Sequence, residues 1–462
     1  MTAGPLRIAI IGAGPSGFYA ADHLLKQDRR IEVDLFDRLP TPFGLVRGGV
    51  APDHPKIKSV TRVYDKVAAH PAFRFFGNVT AGRDLSAGEL QRHYHAVVWS
   101  VGAESDRTLG IPGEELPGSH TATEFVGWYN GHPDFQDRRF DLTQEAAVVV
   151  GVGNVAMDVT RILASDPDDL AKTDITASAL AALRASKVRT IYLLGRRGPA
   201  QAAFTNPELK ELGELPLTDV VVRPEDLELD PATVASLAAT PNREAEKNLK
   251  TLRGFLERGV EGRPRRIELR FSTSPLRIEG DGRVERVIVG ANRLEPGPRG
   301  VQAVATGEET SLTAGLVFRS VGYRALPVPG VPFDERRAVI PNQHGRVLAA
   351  ADGARVPGFY VAGWIKRGPS GIIGTNKPDA VETVGSLLED ADAGALPEPA
   401  VADGSAILAL LEARGVQVVR WGDWQALDAH ECAAGAVRGA PREKVTDTGE
   451  MLAVIRRARQ GT

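Results

Sequence analysis

Two copies of one local pattern constrain this chain more than any other feature. The apolar run Arg7–Ile11 stops at Gly12, Ser16–Lys26 carries Phe18, Ala21, Leu24 and Leu25 at helical spacing, and Ile31–Phe36 reads as a second strand. The order is strand, tight glycine turn, helix, strand. It recurs as Ala146–Val150, the turn Gly151-Val152-Gly153-Asn154, a helix through Leu163 and a strand at Val188–Leu194. Each copy is a βαβ unit, so the chain reads as α/β with two nucleotide-binding domains. The 462 residues leave room for two domains, or three.

Further strands are expected at Ala96–Val101, Leu316–Val321 and Gly358–Gly363, the last running into a glycine-rich loop and a helix at Pro378–Leu388. The Gly/Pro-rich stretches GIPGEELPGS and LPVPGVP separate the two regions. They suggest that the second domain is inserted into the first over roughly Arg107–Arg324. The tail from Ala400 mixes helical patterning with Pro and Gly and carries no assignable chemistry.

The first turn, Gly12-Ala13-Gly14-Pro15-Ser16-Gly17, fits G-x-G-x-x-G. The first glycine permits the turn, the second lets backbone approach a pyrophosphate, and the third lets helix and strand pack closely. The helix N-terminus offers unpaired N–H groups to phosphate oxygens. Asp37, 20 residues past Gly17, closes the next strand where a carboxylate accepts hydrogen bonds from ribose hydroxyls. A plain strand–helix turn with a solvated Asp is the bland alternative.

The second turn, Gly151-Val152-Gly153-Asn154-Val155-Ala156, has Ala in the third position, which the fingerprint tolerates. The next strand closes on Gly195-Arg196-Arg197-Gly198 rather than on an acid. Two guanidinium groups suit a 2′-phosphate, so NADP(H) is expected over NAD(H). Arg196 lies 43 residues past Gly153, about twice the usual interval, because of an insert near 165–187 with a helical stretch at Ala177–Ala185. An arginine pair on a surface turn would look the same in isolation.

Composition removes several classes. The formal net charge of −3 gives no general case for nucleic-acid binding. No 18-residue apolar span or targeting leader is visible, so a cytoplasmic protein without membrane insertion, and a monomer, is expected. The single cysteine, Cys432, rules out an internal disulfide, a thioredoxin reductase-like cysteine pair and a four-cysteine metal site. No metal centre is expected.

Several segments together resemble one family: IIGAGPSGFYAADHLL, PFGLVRGGVAPDHPKIK, IPGEELPGSHTATEFVGWYNG, GVGNVAMDVTRIL, LLGRRGPAQAAFTNPELKEL, FRSVGYRALPVPGVPFD and VAGWIKRGPSGIIGTNKPDA. The chain resembles the adrenodoxin reductase-type ferredoxin–NADP reductases, including bacterial members, from about residue 7 to 385. The resemblance implies two Rossmann-like dinucleotide-binding domains, with the NADP domain inserted into the FAD domain. On that basis 1–106 is the first part of the FAD-binding domain, 107–324 the NADP-binding domain, and 325–462 the second part of the FAD domain with a C-terminal tail.

The resemblance also implies noncovalent FAD lined by Ala13 and Gly14. Asp37 takes the ribose-binding position, where the family usually has Glu, and Leu45 and Ala81 touch the cofactor. Trp364 is placed near the isoalloxazine ring, with Gly371, Ile372 and Ile373 contacting it by backbone. Val152, Gly153, Asn154 and Val155 hold the NADP pyrophosphate, Arg196 and Arg197 the 2′-phosphate, and Glu208 the nucleoside or ribose region. Pro207 suits a first helical turn, so Glu208 should lie near a helix start. His54 and Glu211 match a histidine–carboxylate pair near the active centre, expected to position the nicotinamide. A polar turn between two prolines is the bland reading of His54.

The implied activity is hydride transfer from NADPH to FAD, then single-electron transfer to an acidic iron–sulfur protein, a ferredoxin. Lys247–Arg270, with eight basic and three acidic residues, is a candidate docking patch, though such runs are commonly solvated faces. An NADPH-dependent flavin monooxygenase is the enzymatic alternative. An electron-transfer subunit of a larger complex is the non-enzymatic one.

Overall fold

The computed structural model describes residues 4–298 and 300–461. The chain divides into two compact units. Unit 1 comprises 1–105, 130–133 and 322–462; unit 2 comprises 106–129 and 134–321.

Unit 1 begins with β1 (Leu6–Ile11), α1 (Pro15–Leu25) and β2 (Ile31–Phe36). The short helices α2 (Leu45–Gly48) and α3 (Pro55–Lys58) precede α4 (Thr61–Ala68), β3 (Phe73–Phe76), α5 (Ala87–His93) and β4 (Ala96–Trp99). The two-residue strand β5 (Ser105–Asp106) lies at the exit toward unit 2.

Unit 2 opens with β6 (Ser119–Thr121), α6 (Ala122–Tyr129), β7 (Ala146–Val150) and α7 (Asn154–Ala164). The insert forms α8 (Pro167–Leu170) and α9 (Ala177–Arg184) before β8 (Thr190–Leu194), shorter than expected because Ser186–Arg189 is a loop. Then come α10 (Asn206–Glu214), β9 (Thr218–Val222), α11 (Pro231–Ala239), α12 (Arg243–Arg258) and β10 (Arg265–Arg270). An antiparallel sheet of β11 (Thr273–Glu279), β12 (Arg286–Gly297) and β13 (Gly300–Thr313) follows, and β14 (Leu316–Arg319) ends the unit.

The chain re-enters unit 1 at β15 (Tyr323–Arg324), then forms β16 (Asn342–Gln343), β17 (Arg346–Leu348), β18 (Arg355–Val361), α13 (Trp364–Arg367) and α14 (Asn376–Asp392). Three helices complete the tail: α15 (Ala406–Ala413), α16 (Trp421–Val437) and α17 (Thr448–Gln460). Val419, Trp424, Leu427, Met451 and Ile455 from this tail are buried in the unit 1 core.

The large sheet of unit 1 runs β16-β17-β18-β4-β1-β2-β3, parallel from β18 to β3. That of unit 2 runs β6-β14-β7-β8-β10-β9, all parallel. The central strands are nearly continuous apolar runs because both faces are covered, in unit 2 by helices on one side and by the β11–β13 sheet on the other. The strand order reverses beside each glycine-turn strand, between β1 and β4 in unit 1 and between β7 and β14 in unit 2. Such a switch point leaves a crevice outside the carboxyl ends of the strands, where ligands bind in open α/β sheets. Among the described residues, no helix is long and apolar enough to cross a membrane.

Candidate functional site

Both glycine turns are built alike, each within its own unit. Gly12 has φ +109°, and a Cβ there would lie 2.5 Å from the Ser100 carbonyl oxygen, which follows β4. Gly151 has φ +127°, and its Cβ would lie 2.1 Å from the Ser320 carbonyl oxygen, which follows β14. Only glycine fits where these strand ends cross. Around Gly14 and Gly153 nothing lies within 4 Å of an added Cβ. Each borders open space, and each caps a helix, α1 or α7, with no side-chain cap and no acid in the first turn. Unsatisfied helix N–H groups beside an open cradle fit a pyrophosphate. The third positions are packed: a Cβ on Gly17 would come 2.1 Å from the Gly12 carbonyl, and Ala156 is fully buried.

In unit 1, the Asp37 carboxylate accepts N–H bonds from Ala13 at 2.8 Å and Leu39 at 2.9 Å. Burial pushes its pKa up to about 6, against the lowering effect of those two bonds. Asp37 therefore braces the first turn through backbone, with lone pairs left for further donors. Val79 N–H donates to the Asp37 carbonyl, which brings the segment leading to Ala81 beside it. Phe43 N–H donates to the Ala13 carbonyl, and a Cβ on Gly44 would come 3.0 Å from Gly14 Cα, so the chain entering Leu45 lies on the turn.

The opposite end of the chain meets the same place. Ser16 Oγ donates to Asn376 Oδ1 at 3.0 Å, and a Cβ on Gly363 would fall 2.1 Å from Ser16 Oγ. The N-termini of α1 and α14 thus lie together, and α14, like α1, has no side-chain cap. Trp364 is half-buried, donates from Nε1 to the Ser370 carbonyl at 3.2 Å, and packs 5.2 Å from the Tyr323 ring. Gly371 has φ +83° and packs on Thr375, which accounts for glycine there by itself. Ile372 is 61 % exposed, and Ile373 is half-buried against the unit 1 core. His54 caps α3, its carbonyl accepting the Ile57 and Lys58 N–H groups.

In unit 2, the Val152 carbonyl accepts the Ala203 and Phe204 N–H groups, and Asn154 Oδ1 accepts Thr205 N–H at 2.9 Å. Val155 packs on the unit 2 core. A Cβ on Gly195 would come 2.9 Å from Val152 Cγ1, which sets Arg196 and Arg197 beside the turn. Neither guanidinium has a carboxylate partner among the described residues, whereas most arginines of this chain do. Burial first, then the charge of Arg196, lowers the pKa of Arg197. Two crowded cations without a counter-ion form a ready anion site.

Glu208 lies in the first turn of α10, and Glu211 one turn on. Both reach Arg161 of α7, at 3.1 and 3.3 Å; Arg161 is buried and also binds Asp158 at 2.7 Å. Sequence reading missed this residue, for which the i,i+3 spacing from Asp158 is the one local signal. It also missed Asn206, a buried amide donating to Asn248 Oδ1 at 3.1 Å and Thr251 Oγ1 at 2.9 Å, which fixes the start of α10 to α12. His54 belongs to unit 1, and Glu208 and Glu211 to unit 2.

Residues 10–79 match the family model described as an NAD(P)-binding Rossmann-like domain. The NADPH-ferredoxin reductase FprA of Mycobacterium tuberculosis (strain ATCC 25618 / H37Rv) is 48 % identical over 97 % of this chain and 99 % of its own. The mitochondrial NADPH:adrenodoxin oxidoreductase of Salvelinus fontinalis is 46 % identical over 97 % of this chain and 91 % of its own. The solved structure of M. tuberculosis FprA in complex with NADPH superposes with a TM-score of 0.92 at 47 % identity, covering 98 % of this chain and all of that one. The chain belongs to the adrenodoxin reductase-type ferredoxin–NADP reductase family.

Proposed function

We propose that this protein is an NADPH:ferredoxin oxidoreductase acting in the cytoplasm, with FAD held in unit 1 and NADP(H) in unit 2. The observation that carries the nucleotide assignment is the unpaired Arg196–Arg197 doublet closing β8, set against Asp37 closing β2. A 2′-phosphate supplies the missing counter-charge in unit 2, and ribose hydroxyls suit the acid in unit 1. This reading makes unit 2, close to the expected 107–324, the NADP-binding domain and unit 1, close to 1–106 with 325–462, the FAD-binding domain.

The geometry of each unit supports the following roles. Gly14 and the N-terminus of α1 would take the FAD pyrophosphate, with Gly12, Ala13 and Gly17 shaping the turn and Asp37 accepting from the ribose. Leu45, Ala81, Trp364 and the Gly371-Ile372-Ile373 backbone would bound the cofactor, and the adjacent α14 N-terminus would favour negative charge on it. When bound, FAD accepts two electrons as a hydride and passes them on singly. In unit 2, Gly153 and its neighbours Val152, Asn154 and Val155 would hold the pyrophosphate. Glu208 and Glu211, fixed by Arg161, would orient the ribose and nicotinamide side. His54 would act with Glu211 in positioning, since hydride transfer needs no side-chain base. The relatives named above are reductases, which favours this activity over flavin monooxygenation.

Coenzyme preference tests the assignment. Anaerobic bleaching of the flavin should be far more efficient with NADPH than with NADH. Arg196→Ala/Arg197→Ala should lower kcat/KM for NADPH by roughly tenfold to a hundredfold, as loss of charge-assisted bonds predicts, and leave NADH little changed. Equal losses with both coenzymes would remove the 2′-phosphate role.

A further inference from the structure

Successive peptide carbonyls of the arginine loop in unit 2 are all held by the antiparallel sheet or the turn that leads into it. Thr273 N–H donates to the Gly195 carbonyl at 2.9 Å, Asn292 Nδ2 to the Arg196 carbonyl at 2.9 Å, and Ser272 N–H to the Arg197 carbonyl at 3.0 Å. The Thr273 and Ser272 donors are backbone N–H groups, which any sequence supplies. The Asn292 donor is a side chain, so here the residue type decides whether the loop is held.

Asn292 is itself fixed. Its backbone N–H donates to the Ser272 carbonyl at 2.7 Å, and its side-chain amide also donates to Ser274 Oγ at 2.8 Å. The amide thus spends one N–H on the loop and the other on β11. A carbonyl can only accept, so the end of the amide that faces Arg196 is the NH2 group. Ser272, bonded to both Arg197 and Asn292, has φ +47°, a left-handed conformation that costs energy in a residue with a Cβ. The chain carries that strain where the loop meets the added sheet. Leu294 is two residues further along β12 and shares its face with Asn292. It covers Gly198 at the end of the doublet, whose added Cβ would come 3.1 Å from Leu294 Cδ1.

The arrangement has electrostatic and entropic consequences. A carbonyl oxygen left free beside the guanidinium groups would repel a phosphate, and those of Gly195, Arg196 and Arg197 are all occupied. Arg196 is exposed and Arg197 half-buried, both at the ends of long side chains. A backbone fixed in advance reduces the freedom they lose on gripping an anion. We propose that Asn292 is a specificity-determining positioning residue: it holds Arg196 and Arg197 ready for a 2′-phosphate and so sets the preference for NADPH over NADH. The proposal rests on the 2′-phosphate reading of the doublet given above.

The test uses the FAD-loaded full chain reducing ferricyanide with NADPH, inhibited competitively by adenosine 2′,5′-bisphosphate or by 5′-AMP. These probes differ in the 2′-phosphate alone. Asn292→Ala should raise the inhibition constant of the bisphosphate about threefold to tenfold, the worth of one neutral hydrogen bond. The constant for 5′-AMP and kcat at saturating NADPH should not move. Ser274→Ala, which leaves the amide its bond to Arg196 and removes its second anchor, should give a smaller rise confined to the bisphosphate. In the Arg196→Ala/Arg197→Ala background, Asn292→Ala should add nothing, because it acts through the doublet. An unchanged bisphosphate constant, an equal loss with both probes, or a full additional loss in the doublet background would overturn the proposal. If the doublet substitution itself weakened both probes equally, the 2′-phosphate reading would fall as well. If it weakened the bisphosphate alone and Asn292→Ala did not, only the role of Asn292 would fall.

Discussion

Gly12 and Gly14 stand two residues apart and carry opposite constraints. Gly12 is fixed by φ +109° and by the Ser100 carbonyl, whereas a Cβ on Gly14 would meet nothing within 4 Å. Gly12→Ala should therefore destabilise the fold, by about 2 kcal/mol or more. Gly14→Ala should leave the apoprotein's Tm within a degree or two and weaken FAD binding instead, as fluorescence titration would show. Asp37 gives a second test. Its pKa rises from 3.8 unfolded to about 6 folded, so the apoprotein binds this proton more tightly than the unfolded chain. Apoprotein stability should fall by about 2 kcal/mol as pH rises from 4 to 6, then level off near pH 7. Ribose hydroxyls donate best to the ionised acid, so FAD affinity should climb over the same range. Asp37→Asn should flatten both profiles; an FAD affinity flat from pH 4.5 to 7 in the wild type would contradict the ribose role. Residues whose task is local, such as the paired glycines, Asp37 and Arg196–Arg197, were legible in the sequence. Arg161 was not, because its partners Glu208 and Glu211 come from a helix that only folding brings near. The Ser100 and Ser320 carbonyls escaped for the same reason: the glycine turns meet them through strand pairing.

At the scale of elements, the tail shows how far local patterning reaches. Its helices were faint in sequence because Pro and Gly interrupt them, and their task is tertiary. Glu431 on α16 is fully buried and bonds Arg47 of α2 through both oxygens, at 2.9 and 2.5 Å. Burial works against its charge, yet Arg47, Arg442 and the Val445 N–H outweigh burial and hold its carboxyl below the usual range. Arg47 also lies 5.2 Å over the Trp424 ring. The tail thus clamps the Leu45–Gly48 turn that follows the loop packed on Gly14. Glu431→Ala should cost about 3–5 kcal/mol by leaving Arg47 buried without a counter-charge, read as an apparent Tm lower by roughly 10 °C. It should also release FAD more readily. A double change of Arg47 and Glu431 to methionine should recover much of the stability but not the register of the turn. The antiparallel sheet β11–β13 was not anticipated either. Its strands are long and largely polar on the exposed side, so no buried apolar run announced them.

Across the whole molecule, recurrence was the strongest signal. Two glycine turns implied two parallel sheets, and the structure has both, each with its switch point beside the turn. Sequence could not supply strand order, since β4, β18 and β14 reach their places from distant parts of the chain. The central claim is conversion of a two-electron donor into a one-electron output. Double-mixing stopped-flow tests it most directly: anaerobic enzyme is first reduced with one equivalent of NADPH, then mixed with excess oxidised [2Fe–2S] ferredoxin. The flavin absorbance should bleach and then return, with two ferredoxins reduced per NADPH consumed. A flavin that stays reduced against ferredoxin, and returns only with oxygen and an organic substrate, would contradict the account.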